Sequence, residues 1–416
     1  MHIGIMGLGY VGLPLAVAFA EEGHSVTALD TDARKIEALR ERRSYIEDIP
    51  SGRLAAVADR IEATRHAQPL ARCDAVLICV PTPLTANREP DLGPLVSATR
   101  ALAGVLQSGQ LVIIESTTYP GTTRETIAPM LEESGLVAGQ DFHLAFSPER
   151  VDPGRTDYTL RTTPKIVGGL TEACADRAVD LYEHVCDNIV RVSTPEAAEL
   201  SKLLENIFRS VNIALVTELA ILADRMDIDI WEVIDAASTK PYGFTRFEPG
   251  PGMGGHCLPV DPFYLSWRAR EFDMTAEFIE LAGKVNQNMP YHCVARIERL
   301  LNDVSKAVRG SRIAIFGVSY KAGVGDLRES PALKIIEVLR GLGGDIAYHD
   351  PHVPELPEFG LRSVSEDEAL ANADLAVIVT AHPSVDHGAV VDRAPVALDL
   401  RGVTRRRANE RSSVQL

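Results

Sequence analysis

The chain has 416 residues, of which 45% are hydrophobic and 24% are charged, and its formal net charge is −16. This length predicts two or three globular domains, and the negative charge argues against general binding to nucleic acid or anionic membranes. No run of residues approaches the ~20 apolar positions of a membrane span. The apolar stretch that starts at Met1 leaves no room for a signal peptide, so we expect a cytoplasmic protein.

Cysteine and histidine spacing predicts no metal site. The six cysteines form no Cys-x-x-Cys pair, and we expect them to be reduced. Cys257 stands out because it follows Gly254 and Gly255 and precedes Asp261 by four positions. Small neighbours leave a thiol open to a substrate carbon, which predicts a covalent role in catalysis. The alternative for a single cysteine is burial in a core.

Short apolar runs alternate with helical stretches over the first ~190 residues, which predicts a parallel α/β sheet. The predicted strands are His2–Met6, Ser25–Leu29, Ala75–Val80 and Leu111–Glu115.

A glycine-rich motif lies between the first predicted strand and the helix that follows it. Gly7 permits a tight turn, Gly9 lets a pyrophosphate approach the backbone, and Gly12 lets the helix pack closely. Asp30 ends the second strand, where a carboxylate would accept the ribose hydroxyls and would repel a 2′-phosphate. The motif therefore predicts an NAD site, and the alternative is a purely structural turn.

Several other positions allow two interpretations. The loop Val80-Pro81-Thr82 would border the cofactor or form a proline-stiffened turn. Glu149 could be a general base or pair with Arg150, and Thr117 could orient a water or cap a helix.

Lys202 and Asn206 are also ambiguous. They share one face of a predicted helix, where they would suit an oxyanion, although a helical lysine is more often solvated.

The second half of the chain begins with a long predicted helix and ends with a repeat of the opening pattern. Thr194 and Pro195 predict the start of a helix that runs to about Met226, and its broad apolar face predicts a domain link or a homodimer. A Pro/Gly-rich loop covers 241–262, and a helix is predicted from Phe278 to Asn288. From Ser311 the strand pattern of the N-terminus returns, which predicts a second Rossmann-like sheet; the tail after Val403 is predicted to fray.

Four motifs occur in a fixed order: Gly7-Leu8-Gly9-Tyr10-Val11-Gly12-Leu13-Pro14, Ser201-Lys202-Leu203-Leu204-Glu205-Asn206, Gly254-Gly255-His256-Cys257-Leu258-Pro259-Val260-Asp261, and Tyr320-Lys321 followed by Asp326-Leu327-Arg328-Glu329-Ser330. In this combination the chain resembles the UDP-glucose/GDP-mannose dehydrogenase family over nearly its whole length. The segments around Thr117, Glu149 and Tyr264 resemble the branch that acts on UDP-N-acetylhexosamines, UDP-N-acetylglucosamine in particular.

The resemblance implies an α/β fold with two Rossmann-like parallel-sheet domains joined by a long central helix and a small helical domain. We expect an NAD-binding domain at 1–193, a central helical domain at 194–300 and a UDP-sugar-binding domain at 301–416. The implied reaction is a four-electron oxidation of the sugar 6-hydroxyl to the uronate through a thiohemiacetal and a thioester on Cys257. UDP-glucose and UDP-N-acetylmannosamine are alternative substrates.

The resemblance also assigns roles residue by residue. In catalysis, Lys202 and Asn206 would stabilise the oxyanion, Thr117 and Asp261 would hold the water, and Glu149 would assist acid–base steps. The residues assigned to the cofactor are Gly7, Gly9, Tyr10, Val11, Gly12, Asp30, Lys35, Val80, Pro81, Thr82 and Arg328. Those assigned to the UDP-sugar are Lys202, Asn206, Phe247, Gly250, Gly254, Lys321 and Arg401.

Three other functions compete with this one. A two-electron hydroxy-acid dehydrogenase would share the N-terminal sheet and the long helix but would need no cysteine. A short-chain epimerase would need Tyr-x-x-x-Lys, and no tyrosine here has lysine at that distance. A catalytically silent NAD-binding protein would leave Cys257, Lys202 and Lys321 without a purpose.

Overall fold

The structure is a computed structural model that describes residues 1–85, 87–151, 157–255, 258–405 and 414–415. Cys257 therefore lies outside the described residues. The chain divides into two compact units, Met1–Glu205 with Phe263–Met274 and Asn206–Pro262 with Thr275–Leu416. Each unit contains a Rossmann-like sheet, which confirms the predicted α/β class.

The first unit is built on eight strands. These are β1 (His2–Met6), β2 (Ser25–Leu29), β3 (Ile61–Thr64), β4 (Ala75–Ile78), β5 (Leu111–Ile114), β6 (His143–Phe146), β7 (Lys165–Gly169) and β8 (Ile189–Val192). They form one sheet in the order β3-β2-β1-β4-β5-β6-β7-β8, in which β6 and β7 are antiparallel and the other pairs are parallel. The first six strands have the order of a doubly wound dinucleotide-binding sheet, whose crevice opens at the carboxyl ends of β1 and β4.

Six helices belong to this sheet: α1 (Gly12–Glu21), α2 (Ala33–Arg40), α3 (Ser51–Val57), α4 (Gly93–Ala103), α5 (Ala128–Glu132) and α6 (Glu172–Tyr182). One core contains residues of α1 and α6, and the other contains residues of α4 and α5. The central strands β4 and β5 are fully buried, as expected for parallel strands with helices on both faces.

Four α-helices follow in the described part of the chain: α7 (Pro195–Arg225), α8 (Ile230–Ala237), α9 (Asp261–Ala269) and α10 (Glu277–Asp303). The Oγ1 atom of Thr194 accepts a hydrogen bond from the N–H of Ala197 at 3.2 Å, which confirms the predicted start of α7. α10 continues well beyond the predicted end at Asn288. The residues after Pro290 stay helical because Cys293 and Ile297 are fully buried in the core of the second sheet.

Helix α7 is long and apolar enough to cross a membrane by length and composition alone, the one such helix within the described ranges. In the structure 39% of its most apolar stretch is buried. Its Glu199 side chain is also fully buried, and it accepts hydrogen bonds from Gly121 and Thr123 of the first unit. The helix therefore packs against protein along part of its length.

The second sheet repeats the arrangement of β1, β2 and β4. Its elements are β9 (Arg312–Phe316), α11 (Pro331–Gly341), β10 (Asp345–His349), β11 (Glu355–Leu356), β12 (Leu361–Arg362), α12 (Glu366–Leu370), β13 (Leu375–Ile378), α13 (His387–Arg393), β14 (Ala397–Asp399) and β15 (Val414–Gln415). β11 and β12 form a separate hairpin, and the parallel sheet has the order β10-β9-β13-β14-β15.

The prediction of a frayed tail after Val403 is wrong for the described part of that segment. Thr404 donates hydrogen bonds to Asp399 from its backbone N–H and from its hydroxyl, and β15 adds an edge strand to β14. A buried side chain at Thr404 and paired backbone at 414–415 hold these described residues in place, which composition alone does not reveal.

Candidate active site

The three glycines of the N-terminal motif have different surroundings. Gly7 has φ +92°, and a Cβ there would lie 2.6 Å from the carbonyl oxygen of Cys79. A Cβ on Gly12 would lie 1.9 Å from the carbonyl oxygen of Gly7, whereas a Cβ on Gly9 would meet nothing within 4 Å. Packing explains two glycines, and the third borders open space at the start of α1. This arrangement fits a ligand that approaches the backbone, and a purely structural turn does not require it.

Asp30 lies beside this turn at the end of β2. Its Oδ2 accepts hydrogen bonds from the N–H of Leu8 at 2.8 Å and from Nζ of Lys35 at 2.9 Å. Its Oδ1 accepts from the N–H of Asp32 at 2.9 Å. The structure thus brings together Asp30, Lys35 and the turn that carries Tyr10 and Val11, all assigned to the cofactor. Tyr45, which the sequence analysis missed, donates to the carbonyl of Leu8 at 2.8 Å.

The loops that follow β4 and β5 are bonded to each other. The hydroxyl of Ser116 donates to the carbonyl of Val80 at 2.7 Å, and that of Thr82 donates to the carbonyl of Thr117 at 2.8 Å. The loop Val80-Pro81-Thr82 and Thr117 are therefore neighbours at the carboxyl edge of the first sheet. Thr117 does not cap a helix, because the next helical turn begins after Gly121.

Glu149 pairs with a lysine instead of with the guanidinium of Arg150. Its Oε2 lies 3.4 Å from Nζ of Lys165, which also binds Oε2 of Glu115 at 2.7 Å. Arg150 forms an ion pair with Glu205 at 2.6 Å. The sequence analysis missed Lys165 and Glu115, although charged residues next to buried apolar strands are a signal that could have found them.

The lysine on α7 is buried, which excludes the solvated interpretation of its side chain. Lys202 is 8% exposed, and Asn206, one turn later, is 5% exposed. Within the second unit, Nδ2 of Asn206 donates a hydrogen bond to Oδ2 of Asp261 at 2.5 Å. Asp261 is 2% exposed and is the first residue of α9. The structure therefore places the α7 amide against the carboxylate that follows the cysteine motif.

The glycine loop before Cys257 packs closely on the turn that carries Lys321 and Arg328. The N–H of Gly255 donates to the carbonyl of Arg328 at 2.9 Å. A Cβ on Gly254 would lie 2.6 Å from Cβ of Tyr320. Lys321 is the next residue in that turn, so the two predicted substrate segments are adjacent in space.

Other residues assigned to the substrate also lie in the second unit. A Cβ on Gly250 would lie 2.8 Å from a guanidinium nitrogen of Arg401, so these two predicted residues are in contact. Burial lowers the pKa of Arg401, whose Nε donates to the carbonyl of Val379 at 2.8 Å. Phe247 packs edge-on against Phe208 at a centroid distance of 5.7 Å.

Arg328 is a separate case. Its guanidinium binds the carboxylate of Asp326 with a shortest distance of 2.6 Å. Its assignment to the cofactor remains a prediction.

A buried histidine that the sequence analysis missed shapes the turn of Lys321. Nδ1 of His382 accepts from the N–H of Gly323 at 3.1 Å, so Nε2 carries the proton and donates to Asp350 at 3.0 Å. The same Asp350 carboxylate accepts from the N–H groups of Val318 and Ser319. Asp350 follows β10 as Asp30 follows β2, and the protein donates hydrogen bonds to the oxygens of both carboxylates.

Three domain models of one protein family match nearly the whole chain. The family is the UDP-glucose/GDP-mannose dehydrogenases: its NAD binding domain matches residues 1–186, its central domain 196–288 and its UDP binding domain 314–406. A UDP-N-acetyl-D-mannosamine dehydrogenase from Pyrococcus horikoshii is 35% identical and covers 97% of this chain and 99% of that protein. A UDP-N-acetyl-D-glucosamine 6-dehydrogenase from Pseudomonas aeruginosa is 34% identical over 88% of this chain and 86% of that protein. The solved structure of a UDP-D-ManNAc dehydrogenase from Pyrococcus horikoshii has a TM-score of 0.91 at 34% identity and covers 100% of this chain and 98% of that one.

Proposed function

Because the chain belongs to the UDP-glucose/GDP-mannose dehydrogenase family and is an NAD-dependent UDP-sugar dehydrogenase, we propose that it oxidises the 6-hydroxyl of a UDP-N-acetylhexosamine to the uronate. UDP-N-acetylglucosamine is the first candidate, and a 34% identical relative carries that substrate in its name. UDP-N-acetyl-D-mannosamine is the second, because a 35% identical relative is named for it. A hydroxy-acid dehydrogenase would need no UDP binding domain.

The hydrogen bond between Asn206 and Asp261 is the observation that carries this proposal. It joins α7 at Asn206 to Asp261, four positions after Cys257 in the sequence. The donors on α7 suit the oxyanion of a thiohemiacetal, and the carboxylate of Asp261 suits the water that later hydrolyses the thioester.

The oxidation proceeds in two stages, of which the second takes place on the sulfur of Cys257. The alcohol is first oxidised to an aldehyde, and the thiolate adds to its carbon to form a thiohemiacetal, whose oxygen Asn206 and Lys202 stabilise. A second oxidation gives a thioester, and water held by Thr117 and Asp261 hydrolyses it to the carboxylate and the free thiol. In total the primary alcohol, one water and two NAD⁺ become a carboxylate, two NADH and three protons. Covalent attachment keeps the aldehyde in the site between the two oxidations.

NAD, when bound, accepts the hydride in each oxidation. The turn of Gly7 and Gly9 and the N-terminus of α1 would hold its pyrophosphate, while Asp30, with Lys35 beside it, would bind the ribose hydroxyls. The loop Val80-Pro81-Thr82 would border the nicotinamide half.

We also propose the three-domain division at 193 and 300, a cytoplasmic location and a homodimer or higher homo-oligomer. An apolar stripe on α7 supports the oligomer. It consists of the exposed side chains Phe208, Leu215, Leu219 and Leu222, which recur at heptad-like spacing.

The test is the ratio of NADH formed to sugar consumed, measured with UDP-glucose and the UDP-linked N-acetyl derivatives of glucosamine, galactosamine and mannosamine. We expect two NADH per sugar and the highest kcat/KM with UDP-N-acetylglucosamine. A ratio of one would contradict the four-electron reaction, and a higher kcat/KM for UDP-N-acetylmannosamine would favour the second substrate. In Cys257→Ser we expect unchanged NAD affinity and a loss of uronate formation.

A further inference from the structure

A buried cluster of charged side chains lies behind Glu149 in the first unit. Lys165, the first residue of β7, has a side chain that is only 3% exposed. Its ammonium lies between two carboxylates, at 2.7 Å from Oε2 of Glu115 and at 3.4 Å from Oε2 of Glu149. A buried lysine with two acidic partners is an arrangement that packing alone does not require, because desolvating these charges is costly.

The two oxygens of Glu149 have different partners. Oε1 accepts hydrogen bonds from the N–H groups of Arg150 and Val151, both at 2.7 Å. Oε2 faces Lys165 over the longer distance of 3.4 Å. Because two backbone donors occupy Oε1, a proton exchanged with water or substrate is received at Oε2, the oxygen that Lys165 contacts.

Glu115 fixes the lysine from the other side. Its side chain is fully buried, its Oε2 binds Lys165, and its Oε1 accepts a hydrogen bond from the hydroxyl of Tyr182 on α6. Both carboxylate oxygens of Glu115 are thus engaged by the protein. Glu115 therefore fixes the position of the Lys165 ammonium, which also contacts Glu149.

Among the titratable groups near the cluster, Lys165 is the cation that acts most strongly on the Glu149 carboxyl. Burial raises the pKa of Cys79 and Cys186, so both thiols are neutral at physiological pH. Lys202 on α7 is the second cation that acts on Glu149. Glu115 is the acidic group that faces Glu149 across Lys165, and the negative charge of Glu149 helps to raise the pKa of Glu115.

The balance of these effects differs between the two carboxyl groups. Burial raises the pKa of Glu149, but the charge of Lys165, two backbone N–H groups and the charge of Lys202 outweigh it, so the pKa is lowered. For Glu115, burial dominates and raises the pKa to about 7 despite the charge of Lys165. Without Lys165, burial would dominate at Glu149 as well.

We propose that Lys165 is a positioning residue of the reaction, whose ammonium, anchored by Glu115, keeps Glu149 ionised and holds its Oε2 where the proton is exchanged. The inference rests on the proposed function, in which Glu149 assists acid–base steps. As water attacks the thioester, Glu149 takes one proton from it at Oε2 and later releases that proton to solvent. Lys165 stays protonated throughout.

The test compares the pH dependence of kcat in the intact enzyme with that of Lys165→Met and Lys165→Arg. In Lys165→Met we expect the acidic limb to move up by about one pH unit, so that kcat on that limb falls about tenfold while KM for the UDP-sugar stays within about twofold. Lys165→Arg should restore most of kcat and the original limb, because it keeps the charge. Lys334→Met, which removes a lysine from an exposed pair with Glu337, is the matched control and should leave the profile unchanged.

A second variant separates positioning from folding. Lys165→Met leaves Glu115 without its cation and could unfold, so Lys165→Met/Glu115→Gln removes both charges and should fold. If Lys165 acts on Glu149, the double variant binds NAD normally and keeps the shifted limb. If the lysine serves only to neutralise Glu115, the double variant has the wild-type limb, and the inference is overturned.

Glu149→Gln distinguishes failure of this inference from failure of the proposed mechanism. A slow Glu149→Gln enzyme together with a wild-type limb in the double variant overturns the role of Lys165 alone. Full activity of Glu149→Gln overturns both the acid–base role of Glu149 and the inference. Suppose that Glu149→Gln is slow and that the acidic limb is shifted in Lys165→Met and in Lys165→Met/Glu115→Gln. This result supports the acid–base role of Glu149 and the positioning role of Lys165.

Discussion

Asn206 and Asp261, 55 positions apart in the chain, are joined by a buried hydrogen bond of 2.5 Å from the amide nitrogen to the carboxylate. The bond orients the amide and the carboxylate, so it fixes two of the groups proposed to act around Cys257. A charge-assisted bond of this kind contributes more than a neutral one, and it is costly to leave half made.

We therefore expect Asn206→Ala to lower kcat at least about tenfold, with NAD affinity unchanged, because the donor to Asp261 and the predicted oxyanion ligand are both lost. Steady-state kinetics and an NAD titration measure the two effects. Asn212→Ala is the control, since Asn212 lies on the same helix but is only half-buried and donates its side-chain hydrogen bond to the carbonyl of Phe208. A kcat within twofold of wild type would contradict the assignment of Asn206.

The contact between Gly254 and Tyr320 predicts that the loop tolerates no side chain there. A Cβ would lie 2.6 Å from Cβ of Tyr320 and 2.9 Å from the carbonyl oxygen of Glu329, so Gly254→Ala must displace the loop or the turn. We expect kcat/KM for the UDP-sugar to fall about a hundredfold or more, since small misplacements of reacting groups are costly. Gly341→Ala, with nothing within 4 Å of the added atom, should have wild-type kinetics. Equal kinetics for the two variants would rule out this packing argument.

The buried Glu199 on α7 predicts a pH-dependent term in stability. Burial raises its pKa from 4.5 to about 7. Between pH 4.5 and 7 the folded protein keeps a proton that the unfolded chain releases. The unfolding free energy of wild type is therefore highest, with respect to Glu199, at pH 4.5 and falls as the pH rises to 7. Relative to wild type, the unfolding free energy of Glu199→Gln should rise by roughly 3 kcal/mol over this range.

Denaturant unfolding at several pH values measures this difference. Glu196→Gln is the control, because the ion pair of Glu196 with Arg124 lowers its pKa and therefore gives no slope between pH 5 and 7.5. A flat difference between wild type and Glu199→Gln would show that Glu199 is ionised in the folded state.

His382 predicts a selective effect on nucleotide binding. It holds the turn of Lys321 through the N–H of Gly323 and through Asp350, so His382→Ala should loosen that turn and weaken UDP binding about tenfold. Calorimetric titration with UDP and with NAD checks this, and NAD affinity should not change. His352→Ala is the control, because His352 is exposed although its ring lies 5.0 Å from that of His382. Unaltered UDP affinity in folded His382→Ala would refute the role.

The apolar stripe on α7 predicts the interface of the proposed oligomer. Leu215 and Leu222 are 55% and 51% exposed, so two glutamates there would place unpaired charges in the middle of a buried contact. We expect Leu215→Glu/Leu222→Glu to be monomeric in light scattering at concentrations where wild type is a dimer or larger. Val304→Glu, at a similarly exposed apolar position, should keep the wild-type mass. An unchanged mass for the double variant would place the interface elsewhere.

Local patterns in the sequence were sufficient for much of the fold. The turn at Gly7, the cap at Thr194 and the strand repeat after Ser311 depend on residues close in the chain, so each was readable without a partner. The end of α10 was missed because burial of Cys293 outweighed the helix-breaking tendency of Pro290.

What the sequence by itself determined is the order of the two nucleotide-binding sheets and the residue types offered to NAD and to the UDP-sugar. Tertiary structure alone decided which of the charged groups meet: Lys165 with Glu115 and Glu149, and Asp350 with His382. The physical reason is that strand order brings the ends of distant strands together, and a buried charge is stable only beside partners that this order supplies.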